Sequence, residues 1–364
     1  MSQYNNFIKQ NCAPLKASEI EVYDSNNRKV GVIKLDNLQL PDLGEKLYSF
    51  GVISDVHIGV STAEDDLINA LDYFDNYGCT HVCCIGDIAQ NGKIAQLETY
   101  KSIIHDNVHS VMGNHDWWGV PTGQADPITI NDWERILNKE HTYYFTQGND
   151  VFIMLSMSSS DANCFTAEQM QWLQEVLEEN KDKRCFIFEH LFPYNPNCCG
   201  NAYNLYTNDG LWESGTYRET FESLLRQYKN VILFHGHSHI PFEYQTNTTE
   251  YPANYDDYYG IHSIHTPGLT SLRKKTDTGY TQDKNGSQGY IVDVYNNHII
   301  LKGRDFITSK FLPIANYCLD TLAVYKIATV DISLVDECIV GDVISVARTN
   351  NARVNNCKTG SSKK

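Results

Sequence analysis

The sequence lacks the features that mark a membrane protein or a general nucleic-acid-binding protein. No segment reaches the run of about 18 apolar residues that a membrane-spanning helix needs, and the opening residues have no apolar core of a secretory signal. Basic residues are also scarce, since 29 Lys and Arg stand against 45 Asp and Glu and the formal net charge is -16. This acidic balance disfavours nucleic acid and anionic membranes as partners.

Cysteine is too sparse for a disulfide scaffold. The 364 residues include 11 Cys, an odd number, and the adjacent pairs Cys83-Cys84 and Cys198-Cys199 lack the spacing of a thiolate zinc site. Such a pattern is typical of reduced thiols buried as small apolar residues. We therefore expect a cytoplasmic protein without a cysteine-ligated metal.

The apolar pattern predicts alternating strands and helices from Leu47 onward. Short apolar runs predict buried strands at 47–54, 80–87, 109–114, 143–146, 151–156, 184–189 and 230–235. Amphipathic stretches predict helices at 63–77, 93–105, 166–180 and 215–228. This order favours an α/β sheet covered by helices. Residues 19–34 and 289–306 are expected to form hairpins, residues 241–287 long loops, and residues 319–348 a small β-rich part.

Polar side chains follow five of the predicted strands, at the point where each strand ends. They lie in the segments SDVH (54–57), GDIAQNG (86–92), GNHD (113–116), EH (189–190) and GHSH (236–239). Ligand sites in α/β sheets form where the carboxyl ends of strands meet loops. We therefore expect the five segments to converge, with two Asp, one Asn and four His among the side chains brought together.

This set of side chains is typical of a metal centre. In an extended segment, the Asp-x-His and His-x-His spacings turn both side chains toward one point. Imidazole and carboxylate ligands suit Zn, Mn, Fe and Co. Seven such groups are too many for one ion with an open position, but they suit two ions that share a bridging carboxylate. The ions would also supply the positive charge that this acidic chain needs to bind a phosphate.

In their order and intervals, the five segments resemble the calcineurin-like metallophosphoesterase superfamily. The resemblance spans 55–239, and we expect the domain to occupy 47–306. A polar segment and hairpin (1–46) would precede it, and a β-rich appendage with a disordered tail (307–364) would follow. The resemblance implies an α/β (α+β) fold, a two-sheet β-sandwich flanked by helices, with small β-rich additions at both ends.

The resemblance also implies a role for each matching residue at a centre of two metal ions, with Mn, Fe and Zn as the expected metals. Asp55, His57 and His239 would bind the first ion, Asn114, His190 and His237 would bind the second, and Asp87 would bridge them.

Two further residues of GNHD would act in catalysis. His115 would contact the substrate phosphate or protonate the leaving oxygen, and Asp116 would orient His115. No Arg stands near this segment, which is followed by Trp117 and Trp118. We assign both tryptophans to packing, with stacking on a substrate ring as the alternative.

The sequence thus predicts a phosphoesterase that hydrolyses a phosphomonoester or phosphodiester by attack of a metal-bridging hydroxide. The alternative is a non-catalytic binding or assembly protein on the same scaffold. Lost ligands would be the signature of that alternative, and none of the seven is missing. The oligomeric state is left open.

Overall fold

The computed structural model describes residues 19–23, 29–34, 45–160, 164–191, 216–244, 255–258, 261–276, 279–283, 286–312, 315–320 and 327–328. The chain divides into two compact units. The larger unit comprises Ser49–Val292 and Gly303–Leu312, and the smaller unit comprises Met1–Tyr48, Asp293–Lys302 and Pro313–Lys364. The domain boundaries expected from the sequence stay a prediction.

Helices and strands alternate through the first half of the described chain. The α-helices are α1 (Ala63–Tyr77), α2 (Ile94–Ile103), α3 (Ile130–Leu137), α4 (Ala167–Glu179) and α5 (Thr216–Leu225). The strands are β1 (Glu19–Tyr23), β2 (Lys29–Lys34), β3 (Lys46–Ile53), β4 (His81–Ile85), β5 (Val108–Val111), β6 (Thr142–Gln147), β7 (Asp150–Leu155), β8 (Arg184–Phe188), β9 (Val231–His235), β10 (Tyr255–Tyr258), β11 (Ile261–His265), β12 (Leu272–Thr276), β13 (Gly279–Asp283), β14 (Gln288–Tyr295), β15 (His298–Asp305), β16 (Lys310–Phe311), β17 (Tyr317–Asp320) and β18 (Ile327–Ala328).

The larger unit contains two sheets that pack face to face. In one sheet β3, β4 and β5 run parallel and β14 lies next to β3. The other has the order β10-β11-β9-β8-β7-β6, with a parallel centre. Phe50 of the first sheet meets Phe152 and Phe186 of the second in edge-to-face contacts, with ring centroids 5.1 Å apart in both pairs. The two-sheet fold class is therefore confirmed.

Helices cover the outer face of each sheet. Leu67 and Phe74 of α1, Leu97 of α2 and Trp133 of α3 are buried in one core cluster that includes Val82 of β4. A second cluster joins apolar residues of α4 and α5 to β7, β8 and β9, namely Leu173, Leu177, Phe221, Leu225, Ile153, Ile187 and Leu233. Burying these helical stripes against the apolar strands is the main stabilising contribution to this layered arrangement.

Local sequence signals explain where one predicted helix ends and where another begins. The α1 helix ends at Gly78, whose φ of 88° lies in the left-handed region that glycine tolerates. The α4 helix begins after Thr166, whose side chain accepts a hydrogen bond from the Gln169 backbone N–H at 3.2 Å. The helices predicted at 63–77 and 166–180 are confirmed.

The prediction of long loops at 241–287 is wrong for part of that segment. Strands β10 to β13 lie there, and β11 adds to the second sheet in parallel with β9. The strand was missed because its buried positions are partly polar. Ser263 and His265 are fully buried, and the Ser263 hydroxyl pairs with His235 at 3.1 Å. Hydrogen bonding replaces the aliphatic pattern on which strand prediction depends.

The smaller unit is β-rich in its described parts. Strands β1 and β2 pair in an antiparallel manner, with Glu19 opposite Lys34, so the hairpin predicted at 19–34 is confirmed. Residues 298–301 of β15 pair with β17, and β17 pairs with β18. Most of the segment 319–348 lies outside the described residues, as do Cys198 and Cys199. Among the described helices, none is long and apolar enough to cross a membrane.

Candidate metal centre

All seven predicted ligands lie just beyond the carboxyl ends of parallel strands in the two sheets. Asp55 and His57 follow β3, Asp87 follows β4 and Asn114 follows β5. His190 follows β8, and His237 and His239 follow β9. The structure therefore brings together side chains as far apart in sequence as Asp55 and His239, which are 184 positions apart.

The first cluster consists of Asp55, His57 and His239, whose candidate ligand atoms all lie within 4.8 Å of one another. The Nε2 atoms of His57 and His239 are 3.1 Å apart. Asp55 Oδ1 lies 3.1 Å from His239 Nε2 and 3.8 Å from His57 Nε2. All three residues are buried.

The second cluster consists of Asp87, His190 and His237, with Asn114 beside them. His190 Nε2 lies 3.2 Å from Asp87 Oδ2, 3.1 Å from Asn114 Oδ1 and 3.2 Å from His237 Nδ1. Asp87 also reaches the first cluster, because the same Oδ2 atom is 3.7 Å from His57 Nε2. One carboxylate therefore lies between the two clusters, where a bridging ligand is needed.

The hydrogen bonds of two histidines show that the site fits metal ions. His190 Nδ1 donates to the Ile85 carbonyl at 2.8 Å and His239 Nδ1 donates to the Thr270 carbonyl at 3.1 Å. Once a metal ion displaces the Nε2 proton of a ring so held, Nε2 presents a lone pair to the ion. These lone pairs face carboxylate oxygens, and Asp55 Oδ1 has no hydrogen-bond partner among the described residues. Buried acceptors that face one another are stabilised by a cation between them.

The backbone is strained at five of the seven ligands. Each has a positive φ between 52° and 71°, a region that residues with a Cβ rarely adopt, and the five are Asp55, His57, Asp87, His237 and His239. The expectation that Asp-x-His is an extended segment is therefore wrong. Left-handed turns, rather than strand alternation, direct these side chains inward. Strain of this kind is concentrated at functional sites.

The electrostatics of the two carboxylates favour bound cations. Burial would raise the pKa of Asp55 and Asp87, but the surrounding imidazoles, His239 and His190 foremost, outweigh burial and lower both values well below the usual range. Burial likewise disfavours a charged His190, yet Asp87 raises its pKa to about 10. The site thus attracts positive charge strongly even though its carboxylates are buried.

His115 lies at the edge of the two clusters, with Nε2 3.9 Å from Asp87 Oδ2. Its Nδ1 donates to the Gln90 carbonyl at 2.9 Å. Its side chain is 16% exposed, so it is the accessible imidazole of this group. Burial lowers the pKa of His115 to about 4 despite the opposing charge of Asp87.

The expected contact of Asp116 with His115 is replaced by another. The Asp116 carboxylate accepts backbone N–H bonds from Ala89 and Gly113, both at 2.8 Å, and from Ile88 at 3.3 Å. It ties the loop of Asp87 to the loop of Asn114, while the Gln90 carbonyl orients the His115 ring. Burial and the charge of Asp87 raise the pKa of Asp116 to about 7.

Sequence reasoning missed the groups that form hydrogen bonds to the ligands and to His115 and so orient them. The Ile85, Gln90 and Thr270 carbonyls belong to the backbone and leave no side-chain signal. Ser54 was also missed, although its hydroxyl donates to Asp55 Oδ2 at 2.6 Å. Its position directly before Asp55 is the signal that could have indicated it.

Two sheets whose strand ends carry linked clusters of buried Asp and His define a metal-binding α/β protein. The chain belongs to the calcineurin-like phosphoesterase family, whose sequence model matches residues 48–241.

The chain is also similar to individual proteins. The chain is 27% identical over 196 residues to an uncharacterized protein of Methanocaldococcus jannaschii, covering 52% of this chain and 62% of that relative, which is less than two thirds of its length. A dimetal phosphatase from Danio rerio has the same fold, with a TM-score of 0.54, 16% identity and coverage of 76% of this chain and 100% of that one. GAP50, the anchor in the inner membrane complex of Plasmodium, gives a TM-score of 0.44 at 15% identity and covers 76% of this chain and 89% of its own.

Proposed function

We propose that the protein is a dinuclear metal-dependent phosphoesterase that hydrolyses a phosphomonoester or a phosphodiester. The observation that carries the proposal is the pair of buried ligand clusters linked by Asp87. Asp55, His57 and His239 would hold one ion, and His190, His237 and Asn114 the other. Mn, Fe or Zn as the metals, a phosphate-ester substrate and a cytoplasmic location stay predictions.

The bound ions would supply Lewis acidity, which draws a phosphate oxygen into the site and makes a nucleophile available near neutral pH. The chain's own residues do the remaining work. The Asp87 carboxylate lies between the two clusters and contacts both. Its Oδ1 also accepts the His115 backbone N–H at 2.8 Å. This bond fixes the turn that carries His115 relative to the bridging carboxylate, so that the candidate acid keeps a defined distance from the reacting phosphate.

His115 is positioned to exchange a proton at Nε2. Its Nδ1 proton is committed to the Gln90 carbonyl, so Nε2 is the nitrogen that faces the site. The ring is neutral at pH 7 because burial lowers its pKa. An anionic phosphate ester bound beside the ring favours the protonated form, and the Nε2 proton can then pass to the leaving oxygen.

The proposal is tested by metal content and hydrolysis together. We expect the purified protein, reconstituted with Mn²⁺, to hydrolyse p-nitrophenyl phosphate or its bis ester and to hold two ions per chain by mass spectrometry. Asp87→Ala should lose at least one ion and most of the rate, by about 100-fold or more. Asp65→Ala, an exposed carboxylate on α1, is the matched control and should leave both unchanged.

Two results would contradict the proposal. Asp87→Ala could retain the full rate, which would show that catalysis does not need the bridging carboxylate. Alternatively, the protein could take up no metal and show no hydrolysis after reconstitution, which would favour a non-catalytic binding protein. If hydrolysis is observed, comparing the rates on the mono ester and the bis ester decides between a phosphatase and a phosphodiesterase.

A further inference from the structure

The two tryptophans that follow GNHD have different surroundings. Trp117 packs against both core clusters of the larger unit, and its indole N–H donates to the Met157 carbonyl at 3.0 Å. Its assignment to packing is confirmed. Trp118 belongs to neither cluster and is 37% exposed. Core packing therefore does not explain the position of Trp118.

Trp118 lies flat against the imidazole of His115. The two ring centroids are 3.5 Å apart and the ring planes differ by 29°. On another side the His57 ring meets His115 edge-on, at 4.6 Å and 85°. Together with the bond from Nδ1 to the Gln90 carbonyl, these contacts restrain the His115 ring on one face, one edge and one nitrogen.

The backbone holds Trp118 in this place. Its N–H donates to the His115 carbonyl at 3.2 Å, and its own carbonyl accepts the Thr122 N–H at 3.3 Å. The turn is packed tightly against the loop that carries Gln90. A Cβ added at Gly92 would lie 2.6 Å from the Gly119 nitrogen, well inside van der Waals contact. The stack and the Gln90 carbonyl therefore belong to one fixed frame around His115.

We propose that Trp118 is a positioning residue for His115, and that its indole keeps the imidazole Nε2 directed at the reacting phosphate. The inference rests on the proposed function. The outer torsion of a histidine side chain has a broad energy well, so the single hydrogen bond at Nδ1 leaves the ring free to tilt. A flat aromatic surface against the ring removes that freedom. A displacement of about 1 Å at a proton-transferring group can cost about 100-fold in rate.

A double-mutant cycle with the Mn²⁺-loaded protein tests the kinetic part. We expect Trp118→Ala to lower kcat by about 10- to 100-fold with little change in KM, and Trp118→Phe to retain most of the rate. In the His115→Ala background, Trp118→Ala should have no further effect, because no ring remains to be positioned. Val120→Ala, an exposed residue of the same loop, is the control and should match the parent protein.

A second measurement reads the stack without turnover. In the zinc-loaded protein, the carbon-bound ring protons of His115 should show an upfield NMR shift from the indole. Trp118→Ala should abolish that shift and Trp118→Phe should keep part of it. If hydrolysis fails while the shift behaves in this way, the proposed function is wrong and the positioning contact stands.

Three outcomes would overturn the inference. The His115 resonances could be the same in the parent protein and in Trp118→Ala. Trp118→Ala could slow the His115→Ala variant as much as it slows the parent protein. Finally, Trp118→Ala could raise KM for aryl esters alone with kcat unchanged, which would assign the indole to stacking on the substrate.

Discussion

At the scale of single residues, the site depends on the close contact of two backbone loops as well as on its ligand side chains. Gly113 lies where the loop after β5 passes over the loop after β4, and there is no room for a side chain between them. A Cβ at this position would lie 2.5 Å from the Asp87 backbone nitrogen and would also collide with the Asp87 carboxylate. The glycine of GNHD is thus required by the Asp87 carboxylate that lies against it.

We expect Gly113→Ala to displace Asp87 and to lower both metal content and hydrolysis by about 100-fold or more. Gly123→Ala is the control, because its φ of +65° makes a Cβ unfavourable but no atom lies within 4 Å of it. That variant should lose about 1 kcal/mol of stability and keep its metal. Equal metal content in Gly113→Ala and the parent protein, measured by mass spectrometry, would contradict this prediction and show that the loop moves to accommodate the added methyl group.

The residue identities at the centre could be predicted from the sequence, but their geometry could not. The order of the five segments points to Asp87 and the other candidate ligands, because polar residues after apolar strands are a local signal. The left-handed φ of Asp87 and His237 is set by the contacts of the folded chain and has no counterpart in the residue pattern. The Gln90 carbonyl that orients His115 is equally invisible, since every residue carries a carbonyl.

At the scale of elements, prediction succeeded where an apolar period was clear. The α1 and α4 helices have both a buried stripe and a recognisable end, Gly78 and Thr166 respectively. The short α3 helix was missed. Its capping box joins Thr129 and Asp132. The helix has only eight residues, however, and its two buried residues, Trp133 and Leu137, are too few for a periodic signal.

The α1 helix carries a buried carboxylate that makes the stability of the folded protein depend on pH. Asp66 is 3% exposed, and its Oδ2 has no hydrogen-bond partner among the described residues. Burial raises the pKa of Asp66 from 3.8 to about 6, with the nearby Asp65 adding to the effect and Thr62 opposing it. The folded state therefore binds the proton more tightly than the unfolded chain does.

This carboxyl contributes stability that is fully present below pH 3.8 and is lost as the pH rises through about 6. We expect Asp66→Asn to remove that dependence. Its free energy of unfolding relative to the parent protein should rise between about pH 4 and pH 6 and then stay constant, by about 1–2 kcal/mol in all. Urea titrations across this range measure the difference, with Asp72→Asn, at an exposed position of the same helix, as control. A difference that does not vary with pH would contradict the assignment.

At the scale of the whole molecule, the candidate metal centre joins parts of the chain that are far apart in sequence. Asp55 and His239 approach each other across the ends of two different sheets of the larger unit. Bringing such carboxylates into a buried pocket costs free energy, which bound cations offset. The centre is therefore expected to contribute to stability as well as to catalysis.

Metal removal should consequently lower the stability of the larger unit. Ions that bind the folded state alone stabilise it by about 2.7 kcal/mol when present at 100 times their dissociation constant. We expect chelation to lower the thermal midpoint by several degrees, and Mn²⁺ or Zn²⁺ to restore it in the parent protein. His190→Ala removes one side chain that pairs with Asp87, so its midpoint should respond less to added metal. Scanning calorimetry with and without chelator measures both effects. If the parent protein and His190→Ala responded identically, the stabilising ion would not lie at His190.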